Sequence, residues 1–318
     1  MKLKNVAVAL MTGLLGASVA FAAMPEKLNI VYVPSPFNLQ NMVMKEQGLL
    51  EKAFAKDGTK VTWHTINSGA KQGQAMAAGD IDMSAVMNTT SLLLNNAAGN
   101  PVYIASGVAH PSKVFAIVGK PGATLSVKDL KGKKVAGPAG TVLHQLLLAA
   151  LAKEGMSAND VEFLNMGLPQ ALTAVSTGQV DAALLAASLV IKAEGAGCHV
   201  IKTAEGLVNV NLVMTATKAF WEKYPDAVQK VVDVEKAALE WIKAHPEEAI
   251  ALGAKLHGIS IEDAKKLADW SNYYQYLNQT DIDGLKADLA FLKSQGKVQG
   301  YLDVEKLVLP TAFAPKAK

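Results

Sequence analysis

Residues 66–88, INSGAKQGQAMAAGDIDMSAVMN, and residues 165–188, NMGLPQALTAVSTGQVDAALLAAS, read as two copies of one unit. In each, a helical stretch stops at a glycine, Gly79 or Gly178, and passes through an acidic residue into an apolar strand. Glycine accepts the left-handed turn that ends a helix, and an unbroken apolar run such as 183–186 suits a strand covered on both faces. The correspondence extends upstream. Residues 28–33 run into Pro34 as 133–137 run into Pro138, and Val61 and Trp63 match Val161 and Phe163 in the next strand. The pattern predicts two β-α-β-α-β units with similar parallel sheets, an α/β fold whose strand-end loops can hold something between its halves.

From this core the rest of the chain can be parsed. The first lobe is expected over 27–111 plus 212–318, and the second over 112–211, joined by crossover segments at 109–115 and 209–215. From Lys218 onward the pattern is helical, with Pro225 and Pro246 placed to open helices and Ser260 followed by Asp263 as a cap. The helical segments are expected to pack on the first lobe, and the basic tail after Pro310 to be loose.

The chain opens with Lys2 and Lys4, an apolar stretch over 6–19 and small residues up to Ala22. That is the pattern of a secretory signal peptide, 1–22, too short to be a comfortable membrane span. The single cysteine, Cys198, lies far from the cleavage point, so neither lipid attachment there nor an internal disulfide is expected. The processed protein is expected to be soluble, periplasmic and monomeric. Its 29 lysines against 28 acidic residues leave almost no net charge, which argues against nucleic acid as a partner. All basic residues are lysine. Without arginine forks, an anionic ligand must be held by backbone amides and hydroxyls.

Open sheets of this kind bind at the carboxyl ends of their strands, which selects four loops: 34–38, 87–90, 137–142 and 186–189. The third places Gly140 and Thr141 at a helix start, where free amides and the helix dipole favour an anion, without the Gly-Lys-Ser/Thr ending of a nucleotide P-loop. In the first, prolines preset the backbone around Ser35, Phe37 and Asn38; Phe37 either covers an apolar part of the ligand or belongs to the core, and Asn38 either contacts ligand or caps a helix. The second offers Asn88 and Thr89 at a helix start.

Catalytic and metal patterns are missing from the sequence. The six histidines show no ligand spacing, so no metal and no cofactor are expected. His144 lies one turn inside the third loop and His64 alternates with Trp63 on a strand; both read more simply as locally satisfied. Cys198 has only His199 beside it, pointing to the opposite side of an extended chain. Asp82 and Asp181 occupy equivalent places at the entry ends of their strands and read as structural.

Three stretches, 124–156 (TLSVKDLKGKKVAGPAGTVLHQLLLAALAKEGM), 61–86 (VTWHTINSGAKQGQAMAAGDIDMSAV) and 176–186 (STGQVDAALLA), resemble the periplasmic solute-binding proteins of ABC importers, in particular the sulfonate, taurine and nitrate group with its relatives that bind pyrimidine precursors. The resemblance implies a type II two-lobe fold with two crossovers and a helical C-terminal part, a small-molecule ligand, a membrane permease as partner, and no enzymatic activity. It places Ser35, Phe37, Ser68, Asn88, Thr89, Gly140, Thr141, Val142, Ala187 and Ser188 on the cleft. Many sulfonate-binding relatives carry a Trp-Asp-Pro-Tyr-like segment after the GQVDAA strand, where this chain has LLAASLV. The expected ligand is a small organic molecule, an anion such as a sulfonate or carboxylate, with the departure favouring a less charged or more apolar one. The alternatives are a periplasmic enzyme or vitamin-pyrimidine synthase on the same fold, and a sensory protein that presents its ligand to a receptor.

Overall fold

The computed structural model describes residues 24–33 and 35–315. The expected signal peptide, Pro34 and the last three residues lie outside them. The first repeat supplies β1 (Lys27–Tyr32), α1 (Leu39–Glu46), α2 (Leu49–Phe54), β2 (Lys60–Thr65), α3 (Gly69–Ala78), β3 (Met83–Asn88), α4 (Thr89–Ala97) and β4 (Val102–Ala109). The second follows with β5 (Phe115–Gly119), β6 (Lys134–Gly137), α5 (Val142–Lys153), β7 (Glu162–Asn165), α6 (Leu168–Ser176), β8 (Ala182–Ala186), α7 (Ser188–Gly195) and β9 (His199–Thr203). The chain then returns through β10 (Leu212–Thr217) to α8 (Lys218–Lys223), α9 (Pro225–Ala244), α10 (Pro246–His257), α11 (Ile261–Ser271) and α12 (Gln279–Ser294).

Two five-stranded sheets result, ordered β2-β1-β3-β10-β4 in the first lobe and β7-β6-β8-β5-β9 in the second. In each, three strands of one repeat run parallel. The sheets are mixed, however, and not parallel throughout. β10 runs antiparallel to β3 and β4, and β5 antiparallel to β8 and β9, because the segments that change lobes enter each sheet from the opposite end. The second connection is also displaced from its expected place. Leu212 to Thr217 form a buried strand at the heart of the first sheet, so the connection spans 204–211 and not 209–215. Thr215, expected in the connection, is carried inside by apolar neighbours on both sides.

The repeat extends to its polar details. Gly79 and Gly178 take the left-handed conformation, at φ 81° and 73°, just after α3 and α6. Beyond them, Asp82 Oδ2 accepts a 2.7 Å hydrogen bond from the Asn29 amide at the start of β1, and Asp181 Oδ2 a 3.1 Å bond from the Lys134 amide at the start of β6. Both carboxylates thus fasten neighbouring strands at the end remote from the loops. The C-terminal helices complete the first lobe: α9 and α10 cover α1, and α12 packs on α4. Pro225 and Pro246 stand at the first positions of α9 and α10, and Ser260 Oγ accepts from the Asp263 amide at 3.0 Å.

Within that lobe Glu235 of α9 is buried at 2 % exposure and shares a 2.7 Å hydrogen bond with Ser106 Oγ of β4. Burial pushes its carboxyl up to about 8. The folded protein therefore holds a proton that the unfolded chain releases near pH 4.5, and this contribution to stability, full below that pH, is lost as pH rises through about 8. Glu235→Gln is expected to unfold at a nearly unchanged temperature at pH 4.5 and to be more stable than the parent by at least about 2 kcal/mol at pH 9, measured by denaturant titration. An equal effect at both pH values would show that the carboxyl is ionised in the fold.

Candidate ligand-binding cleft between the lobes

The cleft begins with two helices held unusually close. Gly69 and Gly73 lie one turn apart on α3 and face Ser91 and Asn95, one turn apart on α4. A Cβ at Gly69 would sit 2.6 Å from Ser91 Cβ, and one at Gly73 would overlap the Asn95 side chain. Only glycine permits this approach, which sets the N-termini of α3 and α4 side by side. Both starts are capped: Asn88 Oδ1 accepts from the Ser91 amide at 2.8 Å, and Ser68 Oγ from the Lys71 amide at 3.5 Å.

The start of α5 comes from the opposite lobe. Gly140, at φ 67°, turns the loop into it, and several loop groups are already engaged. The Ala139 amide donates to Asn165 Oδ1 (2.9 Å), the Gly140 amide to His144 Nδ1 (3.4 Å), and the Thr141 hydroxyl to the Pro138 carbonyl (2.9 Å). Burial, with Lys297 adding to it, pushes the His144 imidazole down to about 4, so it is neutral and accepts as an uncharged ring stacked on Phe163. The amides of Val142 and Leu143 in the first turn have no acceptor among the described residues. These are the donors that the helix end leaves over.

Four helix N-termini, those of α3, α4, α5 and α6, and four strand-end loops meet around a cavity of about 50 Å³. Ser35 and Pro36 line it from the first loop, Asn88 from the second, Thr141 and Val142 from the third, and Ala186 from the fourth. No charged side chain among the described residues lines it. Apolar side chains, Phe115, Leu168 and Leu212 among them, share its walls with the polar Ser35, Asn67, Gln72, Asn88 and Thr141. Such a site offers amide and hydroxyl donors at helix N-termini, whose partial positive charge favours an anion.

The lobes are fastened at three points around it. Ser91 Oγ of α4 donates to the Gly140 carbonyl at 2.7 Å. Gln145 of α5 is held on both sides by the first lobe, accepting from Thr90 Oγ1 and donating Nε2 to Asp288 Oδ1 at 2.8 Å. At a third place Ser188 Oγ lies 2.9 Å from His257 Nδ1, and Lys192 Nζ donates to the His257 carbonyl at 3.1 Å. All three unite groups from different lobes.

Not every residue expected on the cleft lies there. Phe37 is wholly buried in the first lobe, its ring 5.1 Å from His257 and pressed on Gly253, and its carbonyl accepts from Ser271 Oγ at 3.3 Å and from the Tyr273 hydroxyl. It is a core residue, because α10 and α11 close over the loop that carries it. Asn38 precedes α1, but its side chain donates to the Val33 carbonyl at 3.3 Å and makes no cap bond. Thr89 is buried, with its amide on the Asn211 carbonyl at 3.0 Å. Ser68 and Gly140 flank the cavity through their bonded neighbours, while Ala187, at φ 50°, does not line it and Ser188 turns toward α10. Asn67, Gly69, Gln72, Phe115, Leu168 and Leu212 line the cavity without having been expected. Gly69 and Leu168 hold the same place in the two repeats, so the repeat itself carried the signal for them.

Comparison with known proteins accords with this geometry. The NMT1/THI5 like family model matches residues 51–249, from α2 to α10. The chain is 30% identical to the taurine-binding periplasmic protein of Escherichia coli K12 over 277 residues, covering 78% of this chain and 82% of the relative. It is 27% identical to a putative aliphatic sulfonates-binding protein of the same organism over 301 residues, covering 92% and 90%. The alkanesulfonate-binding protein SsuA from Xanthomonas axonopodis pv. citri, solved bound to MOPS, shares the fold with a TM-score of 0.80 at 24% identity over 91% of this chain and 99% of that one. With a match that takes in strands of both sheets and both inter-lobe connections, this chain belongs to the NMT1/THI5-like family.

Proposed function

We propose that the chain is the periplasmic substrate-binding component of an ABC-type importer, capturing a small organic anion such as a sulfonate or carboxylate between its lobes and delivering it to a membrane permease. The moving units are 27–111 with 212–318 and 112–211. The observation that carries the reading is the convergence of four loops and four helix N-termini on one cavity that no charged side chain among the described residues lines. An anion seated there is stabilised by the amides of Val142 and Leu143 and by the dipoles of the surrounding helices, and its apolar part lies on Phe115, Leu168 and Leu212. Because the walls belong to both lobes, such a ligand favours the closed arrangement, and the shift in lobe equilibrium is the signal a permease reads.

The ligand leaves unchanged in this reading. The nearest thing to a nucleophile with its base is the Ser188 hydroxyl with His257, and both lie outside the cavity, buried in the seam between α7 and α10. His144 approaches the third loop but spends Nδ1 on the Gly140 amide.

Thermal unfolding in the presence of taurine, MOPS, short alkanesulfonates, matching carboxylates and uncharged analogues tests the proposal. At least one anion is expected to raise the midpoint, by the equivalent of about 2.7 kcal/mol at a hundred times its Kd, and to be recovered with its mass unaltered. Stabilisation by uncharged analogues alone, or conversion of a bound compound, would overturn it.

A further inference from the structure

A second and larger cavity, of about 730 Å³, lies on the hinge side of the molecule. Its walls are both inter-lobe connections, through His110, Ser112 and residues 206–210, together with α5 of the second lobe and α12 of the first. Its volume falls in the range of small-molecule sites, and it shares no lining residue with the cleft.

Two carboxylates line it, and their situations differ. Asp281 is fully engaged: Oδ1 lies 2.7 Å from His110 Nε2 and accepts from Asn211 Nδ2 at 3.3 Å, and Oδ2 accepts from the Asn278 amide at 2.8 Å. Asp288 is 6 % exposed and has one neutral donor, Gln145 Nε2 on Oδ1; its Oδ2 has no hydrogen-bond partner among the described residues. No lysine among the described residues lines the cavity. A carboxylate buried to this degree without a counter-charge is costly, and burial pushes Asp288 up to about 7. Beside it the surface turns apolar at Phe291, Leu207 and Val210.

We infer that the hinge-side cavity is a second binding site, for a small organic ammonium ion whose nitrogen pairs with Asp288 and whose hydrocarbon part lies on Phe291 and Val210. The site recognises positive charge with an apolar body, the opposite of the cleft. The cation must meet an ionised Asp288. The other titratable groups on the cavity wall, His110 and Asp281, are paired with each other.

Isothermal titration of the folded protein with n-butylammonium chloride decides the matter, with n-butanol and butyrate as controls. Binding is expected at pH 8, about tenfold weaker at pH 6, and absent for both controls. Asp288→Asn is expected to weaken it at least tenfold at pH 8. Ala287→Phe, which narrows the cavity while leaving the carboxylate in place, is expected to weaken it as well and serves if the first variant does not fold. No binding of n-butylammonium at pH 8, or unchanged affinity in either folded variant, would overturn the inference.

Discussion

Val142→Trp is expected to abolish capture, weakening the affinity for the cleft ligand at least a hundredfold, or about 2.7 kcal/mol. Val142 stands at the first position of α5 and faces the first lobe across a cavity of only about 50 Å³. An indole there fills the space the ligand needs and props the lobes apart, so the bonds from Ser91 to Gly140 and from Gln145 to Asp288 cannot form. Each lobe keeps its own sheet, so the protein still folds, with a cost from overpacking of about 1–3 kcal/mol. The check is titration of wild type and variant with the anion identified by thermal shift. Affinity within threefold of wild type would place the ligand elsewhere.

Phe37→Ala is expected to do the reverse. The ring is buried at 0 % exposure against Gly253 and His257, and its removal leaves a cavity where α10 and α11 close over the loop. A loss of about 3–5 kcal/mol in unfolding free energy is expected, with ligand affinity of the folded protein changed by less than about threefold. Denaturant titration and calorimetry on the same samples separate the two. A large loss of affinity at unchanged stability would make Phe37 a ligand contact after all.

The contrast between these two residues marks how far the sequence could be read. Both were candidates because each lies in a loop at the carboxyl end of a strand, and that rule does not say which way a side chain turns. Val142 follows a left-handed Gly140 into a helix start, a local arrangement that its neighbours define. Phe37 is decided by helices more than two hundred residues away, which no local pattern announces. The same holds for the lobes. The duplicated β-α-β-α-β unit was legible because Gly79 and Gly178, with Asp82 and Asp181, recur with the same spacing and now make the same bonds. β10 was misplaced because its insertion between β3 and β4 depends on long-range pairing, and its Thr215 and the asparagines before it have the composition of a connection. Gln145 was equally hidden: on a helix face it reads as one more polar residue, and only Thr90 and Asp288 across the interface give it a purpose. The Gly69 and Gly73 pair was open to reading, as two small residues one turn apart, and was missed.

The central claim is that one small molecule is clamped, chemically intact, where the four loops meet. A crystal structure of the protein purified from its own host with its ligand retained tests this most directly. The account predicts density for a single small anion bounded by Ser35, Asn88, Val142 and Ala186, with an oxygen on the amides of Val142 and Leu143. A ligand bound away from those residues, or one covalently altered at the site, would contradict it.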